Sequence, residues 1–320
     1  MKIAVFGAGG VGAFFGGLLV RGGADVHFIA RGAQLDALQT KGVLIRSTRL
    51  GDVVVPHVRA EADSSRIGVS DLVLVCVKAH QTPQILDDLA PLVGAQTTLV
   101  TLQNGVDSDE PLAARFGAER VVPGVVYVGA TLEEPGVVSH VAAGTIAIGV
   151  REGGDASRLP AVAAALRMSG QPVKVVADIQ AERWLKLLWN ASFNPVSAVT
   201  ERTPRELVDV ASTRQLLIDL MQEVIAVARA QGIVLAEDAI DEQLAWTERA
   251  PAIRTSMMVD RSRGREMEVD ALVGVIVRKG HEYGVPTPFS QAMQALLEAI
   301  ARPRSDARTA TTSTAPTAAP

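Results

Sequence analysis

The sequence predicts an α/β protein whose N-terminal part is a doubly wound parallel sheet and whose C-terminal part is mostly α-helical. Three observations support this fold class. Six of the 28 glycines fall between Ile3 and Val20, continuous apolar runs recur through the first half, and long helical periodicities replace them in the second half. Apolar runs without polar alternation are typical of strands buried on both faces of a parallel sheet.

Composition limits the classes of function. A chain of 320 residues is long enough for two domains, and 48% hydrophobic with 21% charged residues excludes wholesale disorder. The net charge of −4 argues against nucleic acid or anionic membranes as partners. The single Cys76 excludes an internal disulfide, so we expect a cytoplasmic protein, and the five histidines lack the spacing of metal ligands.

The uncharged stretch from Ile3 to Val20 opens the first predicted domain. It has the length of a transmembrane helix, and Lys2 before it resembles the start of a signal peptide. Six of its eighteen residues are glycines, however, each of which destabilises a helix interior by about 1 kcal/mol. We therefore predict a buried strand, Ile3–Phe6, then a glycine turn, Gly7–Gly12, and a helix, Val11–Arg21.

The glycine turn matches G-x-G-x-x-G, and its position between a strand and a helix favours dinucleotide binding over a purely structural turn. Gly7 permits the tight turn, Gly9 lets a pyrophosphate approach the backbone, and Gly12 lets the helix pack on the strand. Free N–H groups at the helix N-terminus bind the anion. The predicted cofactor-binding residues of this Rossmann-type turn are Gly7, Ala8, Gly9, Gly10, Val11 and Gly12.

The end of the second strand, Val26–Ala30, indicates which dinucleotide binds. Enzymes that use NAD usually place an acid there to bind the ribose 2′-hydroxyl. Here Arg31 follows the strand, and the nearest acid, Asp25, precedes it. A guanidinium suits the 2′-phosphate of NADP, which an acid would repel. We therefore predict NADPH/NADP as cofactor, with a solvated surface arginine as the alternative.

Strands and helices alternate up to residue 178, the predicted end of the NADP-binding domain. Lys78 and Asn104 each follow a strand, and ligands bind at the carboxyl ends of parallel strands, so both are candidates for the cofactor cleft, with a capping role as the alternative. The further predicted strands are Val43–Arg46, Val53–Val58, Leu72–Val77, Thr98–Leu102, Val121–Val128, Val137–His140, Ile146–Val150 and Val173–Val176, the first two forming an edge hairpin. The predicted helices between them include Thr82–Leu92 and Glu110–Phe116.

Residues 179–302 form the predicted helical domain, which would bind the substrate. Residues 303–320 are rich in Thr, Ala, Ser and Pro and are predicted to be a disordered tail. The predicted helices are Glu182–Phe193, Thr213–Gln231, Ala239–Glu248, Met267–Tyr283 and Ser290–Ile300.

The first of these helices carries the candidate catalytic group. Lys186, Asn190 and Asn194 are four residues apart and share one face of an otherwise apolar helix. Asparagine is a poor choice for a solvated helix face, so this polar stripe is expected to line a cavity. Reduction of a ketone by a nicotinamide needs a proton, which a lysine of lowered pKa can donate while it stabilises the alkoxide. The two amides are suited to hydroxyl and carboxylate groups of a substrate.

A set of short segments, taken in order, carries a family resemblance: Gly7–Gly12, Val77–Ala79, Gln103–Gly105, Lys186–Pro195, Thr255–Asp260, Glu268–Asp270 and Gly284–Pro288. With them the chain resembles the ketopantoate reductase (2-dehydropantoate 2-reductase) family over nearly its whole length. The resemblance implies NADPH-dependent reduction of a small 2-oxo acid, 2-dehydropantoate, to (R)-pantoate, a step towards pantothenate and coenzyme A. It leaves the oligomeric state open, a homodimer included.

The resemblance also implies roles for individual residues. Lys186 corresponds to the general acid, and Glu268 corresponds to an acid that organises the active site near the nicotinamide. Ser256 as a simple helix cap and Glu268 as an exposed acid remain the alternatives. The implied substrate-binding residues are Asn104, Lys186, Asn190, Asn194 and Ser256, the last on the substrate carboxylate. The implied cofactor-binding residues beyond the glycine turn are Arg31, Lys78, Asn104 and Ala130.

Pro204 is a departure from the family pattern, because members often carry a polar residue at what corresponds to this position. Another 2-oxo or hydroxy acid therefore stays open as the substrate. A non-catalytic NADP-binding regulator is a third hypothesis, against which the presence of both Lys186 and Glu268 argues.

Overall fold

The computed structural model describes residues 1–250 and 253–302. The predicted tail, 303–320, lies outside the described residues. Within them, no helix is long and apolar enough to cross a membrane. The stretch from Ile3 to Val20 is a strand, a turn and a helix, as predicted, because its glycines break the run before a long helix can form.

A ten-stranded sheet fills the first half of the chain. Its strands are β1 (Lys2–Phe6), β2 (Asp25–Ile29), β3 (Val43–Ser47), β4 (Val53–Val55), β5 (Arg59–Glu61), β6 (Leu72–Val75), β7 (Thr98–Thr101), β8 (Val121–Glu134), β9 (Val137–Ile148) and β10 (Val173–Val175). They lie in the order β4-β3-β9-β8-β7-β6-β1-β2-β5, with β10 beside the C-terminal end of β9.

The central strands β7, β6, β1, β2 and β5 are parallel, which confirms the predicted fold class for this part of the sheet. The sheet as a whole is mixed, because β3 with β4 and β8 with β9 pair antiparallel. The predicted edge hairpin is therefore confirmed. The prediction of separate strands Val137–His140 and Ile146–Val150 is wrong, because β9 runs without a break from Val137 to Ile148. The residues that join the two predicted strands include the small Ala142, Ala143 and Gly144, and pairing of this part of the backbone with β8 keeps it in the strand.

Helices cover the sheet and make up most of the chain after residue 178. Those among the strands are α1 (Gly10–Arg21), α2 (Gly32–Lys41), α3 (Thr82–Leu89), α4 (Glu110–Phe116) and α5 (Leu159–Arg167). Those that follow the sheet are α6 (Ile179–Thr200), α7 (Pro204–Val208), α8 (Ala211–Ala230), α9 (Ala239–Arg249), α10 (Ser256–Ser262), α11 (Val275–Tyr283) and α12 (Pro288–Ala301).

The predicted helix Met267–Tyr283 is wrong at its N-terminal end. A π-helical turn, Asp270–Gly274, comes before α11, so Glu268 lies in the segment that leads into the helix rather than on it. The helix α6 is longer than predicted at both ends. Its N-terminus is capped by Asp178, whose carboxylate accepts a hydrogen bond from the N–H of Ala181 at 2.9 Å.

Candidate active site

The glycine turn between β1 and α1 has the backbone geometry that its sequence predicts. Gly7 has a φ of +98°, and a Cβ there would lie 2.8 Å from the nitrogen of Val77. A Cβ on Gly12 would overlap the carbonyl oxygen of Gly7, so the helix packs against the turn only without a side chain. Gly9, in contrast, has open space where a Cβ would stand. The helix α1 has no side-chain cap, so its first N–H groups are left for a ligand.

Ala130 lies against this turn, and Arg31 follows the neighbouring strand β2. The carbonyl oxygen of Ala130, on β8, would lie 2.6 Å from a Cβ on Gly10, so β8 closes one side of the turn. Arg31 is the N-cap residue of α2, directly beyond β2, and is exposed. Its Nη2 atom lies 2.6 Å from Oδ2 of Asp88, an exposed residue of α3. Arg31 therefore stands at the predicted position, paired with an acid that the sequence did not link to it.

The loops after β6 and β7 bring Lys78 and Asn104 together at one edge of the sheet. The carboxylate of Glu268 joins them: its Oε2 accepts from Nδ2 of Asn104 at 3.0 Å and lies 3.7 Å from Nζ of Lys78. Its Oε1 accepts from the N–H of Ala79 at 3.1 Å. Glu268 is buried, so its reading as one exposed acid among many is wrong.

Lys186 completes this cluster from the helical side. It lies on α6, and its Nζ donates to Oδ1 of Asn104 at 2.9 Å. Asn104 thus donates to Glu268 and accepts from Lys186, which fixes the orientation of its amide. A cleft beside this amide is lined by Gln103, Asn104, Gly105, Val125, Arg183, Lys186, Leu187 and Asn190.

The Lys186 amine has the electrostatics of a proton donor. Burial lowers its pKa from 10.5 to about 8, because the charged form loses solvation. The nearby carboxylate of Glu268 acts in the opposite direction, and the guanidinium of Arg183 lowers the pKa further. A lysine with a pKa of about 8 is mostly protonated at pH 7 and gives up its proton far more readily than an ordinary lysine.

The rest of the polar stripe on α6 leads to Ser256. Nδ2 of Asn194 donates to Oδ1 of Asn190 at 3.3 Å, and Oδ1 of Asn194 accepts from Oγ of Ser256 at 3.2 Å. Asn194 is 1% exposed, whereas Asn190 lines the cleft. Thr255, not Ser256, is the N-cap residue of α10 and accepts from the N–H of Met258. The structure therefore brings Asn190 to the cleft and places Asn194 behind it, between Asn190 and Ser256.

Two further residues of this cluster, Asp260 and Arg183, were not among the candidates predicted from the sequence. Asp260, on α10, is buried and forms an ion pair with Lys78. Arg183 is buried on α6, three residues before Lys186, and lines the same cleft. The one signal for Arg183 was its spacing, which puts it on the same side of the helix as Lys186.

Comparison with known proteins follows the same division of the chain. The family model Ketopantoate reductase PanE/ApbA matches residues 3–153, and Ketopantoate reductase PanE/ApbA C terminal matches residues 178–301. The chain belongs to the ketopantoate reductase family. It is therefore an oxidoreductase by family, and the resemblance that the sequence motifs indicated is confirmed.

Individual members agree with this assignment. A 2-dehydropantoate 2-reductase of Mesorhizobium japonicum is 33% identical, over 94% of this chain and 98% of that protein. The crystal structure of 2-dehydropantoate 2-reductase from Geobacter metallireducens GS-15 has a TM-score of 0.89 and 35% identity, over 93% of this chain and 99% of that one. A D-mandelate dehydrogenase with NADH and anilino(oxo)acetate has a TM-score of 0.86 at 24% identity, over 94% of this chain and 98% of that one, and so shares the fold.

The departure at Pro204 has a local structural reason. Pro204 is the first residue of α7, a position where proline lacks only an N–H that the helix would leave unpaired. Thr203 and Glu206 form a capping box around it, with Thr203 N–H donating to Glu206 at 2.8 Å. Pro204 thus favours the start of α7 at this position.

Proposed function

We propose that this chain catalyses the NADPH-dependent reduction of 2-dehydropantoate to (R)-pantoate, a step towards pantothenate and coenzyme A. The observation that carries the proposal is the hydrogen-bonded series Lys186–Asn104–Glu268, which joins α6 to the edge of the sheet beside the glycine turn. Relatives named 2-dehydropantoate 2-reductase, matched over nine tenths or more of their length, support the choice of substrate.

The residues around the glycine turn fit a dinucleotide. The open space at Gly9 and the uncapped start of α1 suit a pyrophosphate, which needs close approach to backbone N–H groups. Arg31 is exposed at the end of β2, where its guanidinium suits a 2′-phosphate once it leaves Asp88. We therefore assign NADPH to residues 1–178, with Lys78, Asn104 and Ala130 beside it, and the proton donor to residues 179–302.

The chemistry then divides between cofactor and chain. When bound, the reduced nicotinamide supplies the hydride for the carbonyl carbon of the substrate. Lys186 donates a proton to the carbonyl oxygen, so that a ketone becomes a secondary alcohol, and the neutral amine regains a proton from solvent. Before this proton is transferred, the positive charge of Lys186 stabilises the developing alkoxide. Glu268 keeps this amine protonated near neutral pH, because a nearby negative charge favours the ammonium form.

The polar stripe beyond Lys186 would hold the substrate. Asn190 lines the cleft next to the amine, and its amide can bind a hydroxyl or a carboxylate oxygen. Asn194 fixes Asn190 on one side and Ser256 on the other. Ser256 is exposed, and its hydroxyl would turn its single proton from Asn194 Oδ1 to a substrate carboxylate when the substrate binds.

Steady-state assays that follow NADPH absorbance test this proposal. We expect ketopantoate to be turned over faster than pyruvate or 2-oxoisovalerate, and an equal rate with the simpler acids would remove ketopantoate as the substrate. Lys186→Ala should lower kcat by roughly 10²–10⁴-fold. The matched control is Lys41→Ala, at an exposed lysine at the end of α2, which should leave kcat unchanged.

A further inference from the structure

A buried cluster of charges joins the Lys186 helix, α6, to the residues just before α4. The Arg183 side chain is 2% exposed and that of Asp109 is 1% exposed, and the two form an ion pair. Arg151, which follows β9, approaches the other oxygen of Asp109 at 3.0 Å through its Nε. Burying charges is costly, and apolar residues of similar size often stabilise a fold as well. We therefore expect this cluster to do more than stabilise the fold.

Arg183 also binds the loop that carries Asn104. Its Nε donates to the carbonyl oxygen of Gly105 at 3.2 Å, and its Nη2 donates to Oγ of Ser108 at 2.9 Å. Gly105 has a φ of +94°, so this backbone conformation is one that the loop would not hold with most other residues. The helix α6 thus holds the loop twice, through Arg183 on the Gly105 carbonyl and through Lys186 on the Asn104 amide.

We propose that Arg183, supported by Asp109 and Arg151, is a positioning residue that holds the Asn104 loop against α6 and sets the electrostatic field at the proton-donating amine. This inference rests on the proposed role of Lys186. Arg183 borders the cleft, and in this scheme it acts on the reaction through Asn104 and Lys186.

The charges around Lys186 predict in which direction each variant should change the pKa of its amine. Glu268 faces the amine from the segment before α11, with Lys78 beyond it. Arg183 faces it from α6, with Asp109 and Arg151 behind. Glu182, also on α6, accepts a hydrogen bond from Tyr127 on β8 at 2.9 Å. The guanidinium of Arg183 lowers the pKa of Lys186, so loss of its charge should raise that pKa. The Asp109 carboxylate is paired with this guanidinium and offsets its charge, so loss of the Asp109 charge should lower the pKa of Lys186.

The experiment compares Arg183→Leu with Asp109→Asn. We expect the alkaline limb of the pH profile of kcat/KM for ketopantoate to shift to higher pH by roughly 0.5–1 unit in Arg183→Leu and to lower pH in Asp109→Asn. Both variants should show faster hydrogen exchange over residues 103–109, because both weaken the hold of Arg183 on the loop. Arg183→Lys keeps the charge and should leave the limb near its wild-type position. Arg229→Leu, at an exposed arginine on α8, is the matched control.

A double variant guards against failure of the single variants to fold. Arg183→Met with Asp109→Asn removes one charge of each sign, so the limb should stay near its wild-type pH while exchange in the loop still rises. Shifts in the same direction for both single variants, or unchanged exchange, would overturn the proposal. If the wild type fails to reduce ketopantoate, the proposed function fails, whereas the exchange data still decide whether Arg183 holds the loop.

Discussion

Replacing Glu268 with glutamine isolates the contribution of one carboxylate to the acidity of Lys186. Glu268 is buried and accepts hydrogen bonds from Ala79 N–H at 3.1 Å and from Asn104 Nδ2 at 3.0 Å. Glutamine keeps the size of the side chain and one of these two bonds, but it removes the negative charge. Lys78 keeps its ion pair with Asp260 in the variant.

The size of the effect follows from the geometry. Lys186 and Glu268 are joined through the single amide of Asn104 by hydrogen bonds of 2.9 and 3.0 Å, so their charges lie roughly 6–8 Å apart. At an effective dielectric constant of about 20, two unit charges at that separation interact by ~2–3 kcal/mol, or about 1.5–2 pKa units. The pKa of Lys186, about 8 in the wild type, should therefore fall to about 6–6.5 in Glu268→Gln.

The assay is the pH dependence of kcat/KM with ketopantoate and NADPH, whose alkaline limb reports the proton donor of the free enzyme. Because Lys186 must be protonated to act, the wild-type rate falls above pH about 8, and the variant's rate should already fall above about 6–6.5. Glu266→Gln is the matched control, since that residue is exposed and pairs with His80. A limb that stays at the wild-type pH, or moves upward, would refute the electrostatic role of Glu268, whatever happens to kcat.

Three further predictions test other parts of the structure. Gly9→Ala should weaken NADPH binding in calorimetry but leave the melting temperature unchanged, because its Cβ enters open space, whereas Gly12→Ala should unfold the domain, because its Cβ overlaps a backbone oxygen. An equal loss of melting temperature in the two variants would contradict this. Asp88→Asn should tighten NADPH binding roughly 2–5-fold and leave NADH binding unchanged, because it frees Arg31; equal changes for both cofactors would remove that role. Glu223→Gln should lower the free energy of unfolding by about 1–3 kcal/mol in urea titrations with kcat unchanged, because buried Glu223 accepts the N–H groups that begin α12 at 2.8 Å; unchanged stability would contradict it.

Much of the fold was predictable because its signals are local. The glycines of the turn near Gly7 break an apolar run, and the residues that predict this turn all lie within about a dozen positions of one another. The parallel core strands appear as apolar runs, and the stripe from Lys186 to Asn194 follows from helical spacing. By contrast, β5 is a polar segment, and the middle of β9 consists mostly of small residues such as Ala142, Ala143 and Gly144. Both become strands through backbone pairing, and no side-chain pattern marks them.

The residues proposed for the chemistry, and for most of them the elements on which they lie, can be predicted from the sequence alone; Glu268 is the exception, because it lies before the helix on which it was predicted. Their partners depend on the folded chain, because those partners are far apart along the sequence. Lys78 reaches Asp260, and Asn104 stands between Lys186 and Glu268. Burial does the rest: a lysine that is ordinary in the unfolded chain acquires a pKa of about 8 only when packing removes its water and brings Glu268 and Arg183 beside it. Such a shift depends on distance in space, which spacing along the sequence does not encode.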